Sequence, residues 1–238
     1  MSSVKIPTKH AAPIDLRNGD DFAACFNVSR ETLARLSAYQ ALLGKWQKSV
    51  NLVGPSTLDQ FWGRHAADSA QILRHAPIGA RNWLDLGSGA GFPGLILAIM
   101  LAEQDPQARL QLVESDRKKA NFLRTVIREC GLTAVVHHMR IEALGELSKD
   151  CPPEGALAAL CDTHVITARA LAALPLLAGL MAPFFNSSTI ALLHKGRDWQ
   201  DELTQARQYW TLQAKDHASM TDPSARLIEL TGLAPKTA

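Results

Sequence analysis

Two acidic residues flank a glycine-rich turn, residues 87–94, that is called the glycine turn below. Asp85 lies two residues before its first glycine, and Glu114 ends the next apolar run of the chain. The glycines nearest Asp85 are Gly87, Gly89 and Gly91. Glycines at this density let the backbone bend sharply and let a ligand approach without side-chain interference. An acid at the position of Glu114 can accept both hydroxyls of a ribose. These residues therefore predict a site for an adenosine-containing ligand.

The glycines fit two different cofactors. Residues 89–94 satisfy the G-x-G-x-x-G pattern of dinucleotide sites, and residues 87–91 satisfy the G-x-G-x-G pattern of S-adenosylmethionine sites. A carboxylate at Asp85 suits the cationic methionine ammonium and would repel a pyrophosphate. The glycines closest to the preceding strand are also the G-x-G-x-G set. Both observations favour S-adenosylmethionine over the alternative, a nicotinamide-dependent oxidoreductase.

The elements around the glycine turn alternate between short apolar runs and helical stretches. Strands are expected at 83–86, 110–113, 134–138, within 162–167 and at 189–194, with helices between them. This alternation predicts a parallel sheet covered on both faces, with ligands bound at the carboxyl ends of its strands. Two further runs, 210–214 and 226–230, predict an antiparallel hairpin at the sheet edge.

The chain is predicted to have three parts. Residues 1–24 are polar and read as a flexible arm. Residues 25–80 form a helical extension, with Ser29 as the first N-cap and 57–60 as a capping box that opens the second helix. Residues 81–238 form the ligand-binding domain, which makes one structural unit with the extension.

Composition adds weaker constraints. The 238 residues are 47% hydrophobic and 20% charged, with a net charge of +2 and a pI of about 8.4, which permits an RNA partner without demanding one. Four cysteines without paired spacing favour a reducing compartment and give no zinc motif. We see no signal peptide, membrane span or metal constellation in the sequence. A soluble, cytoplasmic protein is expected.

Several further motifs stand in a fixed order around the glycine turn. They are Asn51-Leu52, Arg64-His65-Ala66-Ala67-Asp68-Ser69, Gly91-Phe92-Pro93-Gly94, Glu114-Ser115 with Lys118-Lys119, Arg140-Ile141-Glu142, Ala168-Arg169-Ala170 and Lys195-Gly196. In this order and spacing, the chain resembles the bacterial small-subunit ribosomal RNA guanine-N7 methyltransferases, once called glucose-inhibited division protein B. The resemblance covers roughly residues 30–200. It is specific, because R-H-x-x-D-S together with G-F-P-G is not general to methyltransferases.

The resemblance implies a Rossmann-like S-adenosylmethionine methyltransferase fold: a mostly parallel seven-stranded sheet, an antiparallel C-terminal hairpin and an N-terminal helical extension. It implies methylation of N7 of a guanine in the 530 loop of 16S rRNA, with 16S rRNA or a small-subunit precursor as the partner. Short edge strands and a modest net charge are compatible with a monomer. The cofactor contacts that it adds to Asp85, Gly89, Gly91 and Glu114 are Gly87, Phe92, Ile141, Glu142 and Arg169. Residues 157–164 depart from the family's plainer fourth strand. A methyltransferase that acts on another RNA or on a small molecule is the main alternative.

The reaction that the resemblance implies needs no general base. Guanine N7 carries an in-plane lone pair and no proton, so catalysis is expected to consist mostly of alignment. We therefore predict no certain catalytic residue, and Arg169 and Lys195, which follow strands four and five, are the candidates for positioning.

Basic residues near the crevice are the candidates for RNA contact. They are Arg64, His65, Lys118, Lys119, Arg169 and Lys195. Each has a structural alternative: salt bridges in loops for Arg169 and Lys195, packing for His65, and a helical ion pair between Arg64 and Asp68.

Overall fold

A computed structural model describes residues 13–148 and 157–236. The strands are β1 Asn82–Leu86, β2 Arg109–Val113, β3 Ala134–His137, β4 Val165–Arg169, β5 Ile190–Lys195, β6 Trp210–Ala218 and β7 Arg226–Pro235. The α-helices are α1 Gly19–Phe26, α2 Arg30–Gln47, α3 Asp68–Ala70, α4 Gly94–Gln104, α5 Arg117–Glu129, α6 Ile141–Ser148, α7 Ala158–Cys161, α8 Leu174–Met181 and α9 Trp199–Tyr209. Four other helical turns are 3-10 turns at Pro55–Gln60, Gln71–Arg74 and Ala182–Phe184 and a π-helical turn at Phe61–Ala67.

The strands form one sheet in the order β3-β2-β1-β4-β5-β7-β6. The first five are parallel, and β7 runs antiparallel to both β5 and β6. This confirms the predicted sheet and hairpin. The strand order reverses between β1 and β4, which is where doubly wound sheets bind ligands. The glycine turn leaves β1 at this point, and Arg169 ends β4 beside it.

The parallel strands lie close to the expected positions, except that β4 begins later. The chain first forms α7 and a turn, in which the Thr163 hydroxyl donates to the carbonyl of Leu160 at 2.7 Å. Val165 then pairs with Trp83 of β1. The stretch that departs from the family pattern is therefore helix and turn, and β4 follows it. Helix α9, which directly precedes β6, was not predicted, because its burial rests on only two residues, Leu203 and Ala206.

Part of the predicted arm is ordered. Residues 19–26 form α1, which Asn18 caps by accepting from the backbone of Asp21. Phe22 and Phe26 are buried and stack with ring centroids 4.6 Å apart. These two aromatics belong to the core between the extension and the sheet, so the boundary at residue 24 was wrong. Residues 1–12 of the arm lie outside the described part of the chain.

The helical extension packs against α4 and α5, which cover one face of the sheet. Ser29 caps α2 as predicted, by accepting from the backbone of Thr32. The capping box at 57–60 was wrong, because Pro55 already starts a 3-10 turn and the Thr57 hydroxyl donates to Gly54 instead. The chain then continues through the π-helical turn into α3.

The candidate cofactor and substrate cavity

A cavity of about 530 Å³ opens at the carboxyl ends of β1, β2 and β4. Its size lies in the range of small-molecule sites. Five segments form its walls: the loop after α2, the glycine turn, the β2–α5 segment, the start of α6 with the residues before it, and the β4–α8 segment. The predicted cofactor residues that line it are Gly87, Gly89, Phe92, Glu114, Ile141, Glu142 and Arg169.

The glycine turn presents bare backbone to the cavity. Gly87 and Gly89 have φ angles of +66° and +55°, which side chains rarely adopt. A Cβ at Gly87 would lie 2.5 Å from Leu171, whereas one at Gly89 would meet nothing closer than the Gly87 carbonyl at 3.8 Å. Gly91 also has a positive φ, but it is packed against Leu95 and Tyr39 and is not part of the cavity wall.

Glu114 holds the turn and faces the cavity. One carboxylate oxygen accepts the Gly89 N–H at 2.8 Å, and the other accepts the Asp116 N–H at 2.7 Å. The residue is only 8% exposed. Each oxygen keeps a free lone pair, so the carboxylate can still accept hydroxyls from a ribose. Bare glycines beside a fixed carboxylate fit the adenosyl cofactor that was predicted.

Asp85 has a different environment from the one predicted. Its side chain is buried and does not line the cavity. The Thr167 hydroxyl of β4 donates to Oδ1 at 2.7 Å, while Oδ2 has no hydrogen-bond partner and lies under Gly94 at the start of α4. Burial raises the pKa of Asp85 to about 6, against the lowering effect of Thr167. The Asp85 carboxylate is therefore not placed for direct contact with a methionine ammonium.

The raised pKa of Asp85 predicts a pH-dependent stability. Its ordinary pKa is 3.8, so between about pH 4 and pH 6 the folded protein keeps a proton that the unfolded chain releases. The carboxylate therefore destabilises the fold above pH 6 and not below pH 4. We expect the Asp85→Asn variant to gain up to about 3 kcal/mol on the wild type between pH 4 and pH 7. Urea unfolding across this range measures the difference, with Asp59→Asn as the exposed control, and a flat difference contradicts the prediction.

Phe92 and His65 form a buried stack beside the cavity. Their ring centroids are 4.5 Å apart, and the Arg169 guanidinium carbon lies 5.0 Å from the Phe92 centroid. Burial, together with Arg169, lowers the pKa of His65 to about 4, so the ring is neutral at physiological pH. His65 Nδ1 then accepts from Arg169 at 3.0 Å, and Nε2 faces the Thr57 hydroxyl at 3.2 Å. This agrees with the packing alternative for His65, and the ring presents no cation to RNA.

Asp68 is the centre of a polar cluster that joins the extension to the sheet. It accepts from Arg169 at 3.2 Å and from the Thr221 hydroxyl at 2.9 Å. His194 of β5 donates to its backbone carbonyl at 2.8 Å. Asp68 is thus paired with Arg169, and the structural alternative, a helical ion pair with Arg64, does not form. Arg64 is exposed and contributes its carbonyl to Arg169.

Lys195 forms a buried ion pair with Glu202. Its ammonium donates to Glu202 and to the Ala172 carbonyl, both at 2.7 Å, and the residue is 8% exposed. Lys195 therefore follows the salt-bridge alternative and is not presented to the cavity. By contrast, Lys118 is exposed at the start of α5 and Lys119 lines the cavity.

Tyr39 is a residue of the site that the sequence analysis missed. It is fully buried on α2, and its hydroxyl donates to the Ala90 carbonyl inside the glycine turn. Its ring also lies 5.4 Å from that of Phe92. Its position three residues after Leu36 and four before Leu43, on one helical stripe, was the available signal.

Removing the Tyr39 hydroxyl leaves a buried carbonyl unpaired. We expect Tyr39→Phe to lower the free energy of unfolding by roughly 1–2 kcal/mol. Tyr209, which is 67% exposed, supplies the matched control, Tyr209→Phe. Denaturant unfolding compares the two, and equal stabilities would show that the hydroxyl does not support the turn.

Among the described residues, no group of three or more histidine, cysteine or acidic side chains is arranged to hold a metal ion. None of their helices is long and apolar enough to cross a membrane. Cys25 and Cys130 are free thiols, whereas Cys161 takes part in a disulfide, which the expectation of a reducing compartment did not anticipate.

The sheet order and the cavity over the glycine turn define the Rossmann-like fold of S-adenosylmethionine-dependent methyltransferases. The fold is similar to an O-methyltransferase from Bacillus cereus in complex with SAH (TM-score 0.54, 14% identity, 90% of this chain and 96% of that one). It is also similar to a TehB-like SAM-dependent methyltransferase from Corynebacterium glutamicum (TM-score 0.50, 15% identity, 82% and 98%).

The family is shown by sequence. Residues 32–228 match the family model described as rRNA small subunit methyltransferase G. Proteins named "Ribosomal RNA small subunit methyltransferase G" from Parvibaculum lavamentivorans and Rhodospirillum centenum are 47% and 48% identical to this chain. Each alignment spans 216 residues and 91% of the chain, with 90% and 91% of the respective relatives. The chain belongs to the rRNA small subunit methyltransferase G family.

Proposed function

We propose that this protein methylates N7 of a guanine in the 530 loop of 16S rRNA, either as naked RNA or within a small-subunit precursor. The observation that carries the proposal is the cavity, which is lined by bare glycine backbone, by the fixed carboxylate of Glu114 and by Arg169. Membership of the family supplies the choice of RNA and of the target atom. We further propose that the protein acts as a monomer in the cytoplasm.

The cofactor would lie across the glycine turn. Glu114 would accept the ribose hydroxyls, and the backbone at Gly87 and Gly89 would leave room for the methionine moiety. Ile141 and Glu142, at the start of α6, would form the wall against the adenine. Bound S-adenosylmethionine supplies an electrophilic methyl group on a positively charged sulfur.

The residues of the cavity suit an acceptor that loses no proton. The N7 lone pair forms the new carbon–nitrogen bond while the carbon–sulfur pair returns to sulfur, so the positive charge passes to the purine. Among the described residues that line the cavity, Glu114 and Glu142 are acidic and none is a histidine. Asp68 neutralises Arg169, so a purine that becomes cationic meets less repulsion from that guanidinium.

RNA contact is assigned to cations that remain open to solvent. Arg64 and Lys118 are exposed, and Lys119 is half-buried at the cavity. Such contacts hold phosphates and orient the RNA without reading its sequence. Arg169 acts from within the cavity wall. Lys195 supports that wall through Ala172 and Glu202.

The proposal is tested on RNA from cells that lack this protein. Purified protein and labelled S-adenosylmethionine are incubated with naked 16S rRNA or with small subunits from those cells, and the modified nucleotide is mapped by mass spectrometry. We expect label at N7 of one guanine of the 530 loop. In rRNA taken directly from the deletion cells, that position should carry no N7 methyl group. If N7 methylation of that guanine persists in the deletion cells, the substrate assignment is wrong.

A further inference from the structure

The cavity has two chemically different halves. The cofactor half consists of the glycine turn, Glu114 and the start of α6. The other, called the aliphatic half below, is formed by the β4–α8 segment. Its lining consists of Leu171, Ala172, Leu176 and Leu180. The two halves meet where the Leu171 side chain lies against Gly87.

Leu176 of the aliphatic half is exposed to solvent, although α8 packs into the core. Leu176, in the first turn of α8, is 63% exposed, whereas Leu174 and Leu177 of the same helix are buried in the core. Ala170 has a φ of +52°, a conformation that side chains rarely adopt, at the point where β4 ends and the wall begins. Strained backbone of this kind is maintained where a site requires it. Both features fit a wall that a ligand covers.

The charged residues of the cavity indicate the chemistry of a ligand that could cover the aliphatic half. Lys119, Arg140 and Arg169 line the cavity together with Glu114 and Glu142, whereas the aliphatic half itself carries no charged side chain. A neutral, flat group attached to phosphates matches this combination, because the cations meet the phosphates and the aliphatic surface meets the flat faces. A nucleobase on an RNA strand has this chemistry, and apolar side chains commonly hold an extruded base.

We propose that the aliphatic half receives the target guanine, turned out of the stacked bases of its RNA loop, against Leu171 and Leu176. This inference rests on the proposed function. A base that stays stacked within its loop cannot bring N7 to the cofactor half, whereas an unstacked loop base can be splayed into a protein pocket. An extruded base enters from the solvent side, where Leu176 is exposed.

A bulky residue at position 176 tests this site. Leu176→Trp fills the aliphatic half and leaves the cofactor half open, and Leu147→Trp, at a 51% exposed leucine on α6 that does not line the cavity, is the matched control. We expect the affinity for S-adenosylhomocysteine, measured by calorimetry, to stay within about twofold in both variants, since neither touches the glycine turn. The affinity for 16S rRNA should stay within about threefold, because phosphate contacts dominate it.

Turnover is expected to separate the two variants. In Leu176→Trp the methyl-transfer rate at saturating RNA should fall at least about tenfold, because a displaced acceptor is poorly aligned, while Leu147→Trp should keep the wild-type rate. If both variants methylate at the wild-type rate, the aliphatic half does not hold the base, although the proposed function stands. If the wild type itself places no label in 16S rRNA, the proposed function and this inference fall together.

Discussion

Replacing Glu114 by alanine is expected to weaken binding of S-adenosylhomocysteine roughly 100-fold, which corresponds to about 2.7 kcal/mol. The loss would follow from the two charge-assisted hydrogen bonds that we propose Glu114 accepts from the ribose, each of which contributes about 1.5–3 kcal/mol. The variant also releases the Gly89 N–H, which the carboxylate holds at 2.8 Å. The turn therefore loses its anchor as well as its acceptor. Titration calorimetry with the purified protein measures the effect.

Glu129→Ala is the matched control, since Glu129 is an exposed glutamate at the end of α5, away from the cavity. Its affinity for S-adenosylhomocysteine should equal that of the wild type. Glu114→Gln should fall between the two, because the amide keeps one acceptor and loses the charge. A folded Glu114→Ala variant that binds with unchanged affinity would show that the ribose is held elsewhere.

The parallel sheet could be predicted because its strands are buried on both faces. Such strands are short apolar runs bounded by glycines and polar residues, and β1, β2 and β5 all have this form. The extension was harder to predict. Helix α1 depends on Phe22 and Phe26 reaching a core that the distant helix α4 completes. Nothing in the sequence next to these aromatics indicates that core, so the segment looked like an arm.

The candidate site could be predicted only in part. Glu114, Gly87 and Gly89 come together because adjacent parallel strands end at one edge. Asp85 lies away from the predicted contact because side chains alternate between the two faces of a strand. Its neighbours Leu84 and Leu86 face the core with α8, so Asp85 must point the other way, under α4.

The polar cluster around Asp68 could not be predicted from local spacing. Residues four apart face each other on an α-helix, which suggested a pair between Arg64 and Asp68. Residues 61–67 are instead π-helical, and the wider turn of a π-helix removes that register. Asp68 thereby turns toward Arg169, which follows it by 101 positions. A contact at this separation depends on the whole fold.

Arg169 joins the extension to the cavity, and its replacement is expected to have the second large effect. Its guanidinium reaches the Arg64 carbonyl, Asp68 and His65 at 3.2, 3.2 and 3.0 Å. A lysine has one compact charge and cannot satisfy three acceptors in a plane. We therefore expect Arg169→Lys to lower kcat/KM for methyl transfer roughly 100-fold through misalignment of the cavity wall. Labelled methyl incorporation into 16S rRNA measures it.

A double-mutant cycle with Asp68→Asn shows whether the ion pair is the cause. Asp68→Asn alone should lower kcat/KM roughly tenfold, since the amide keeps some of the hydrogen bonds of the cluster. If Asp68 acts through Arg169, the double variant should be no worse than Arg169→Lys alone, because contacting residues are not additive. Additive losses would mean that the two residues act separately. Because Thr221 and His194 also bind Asp68, thermal unfolding of each variant must confirm that the fold survives. Loss of turnover without loss of folding then identifies Arg169 as the residue through which the extension positions the site.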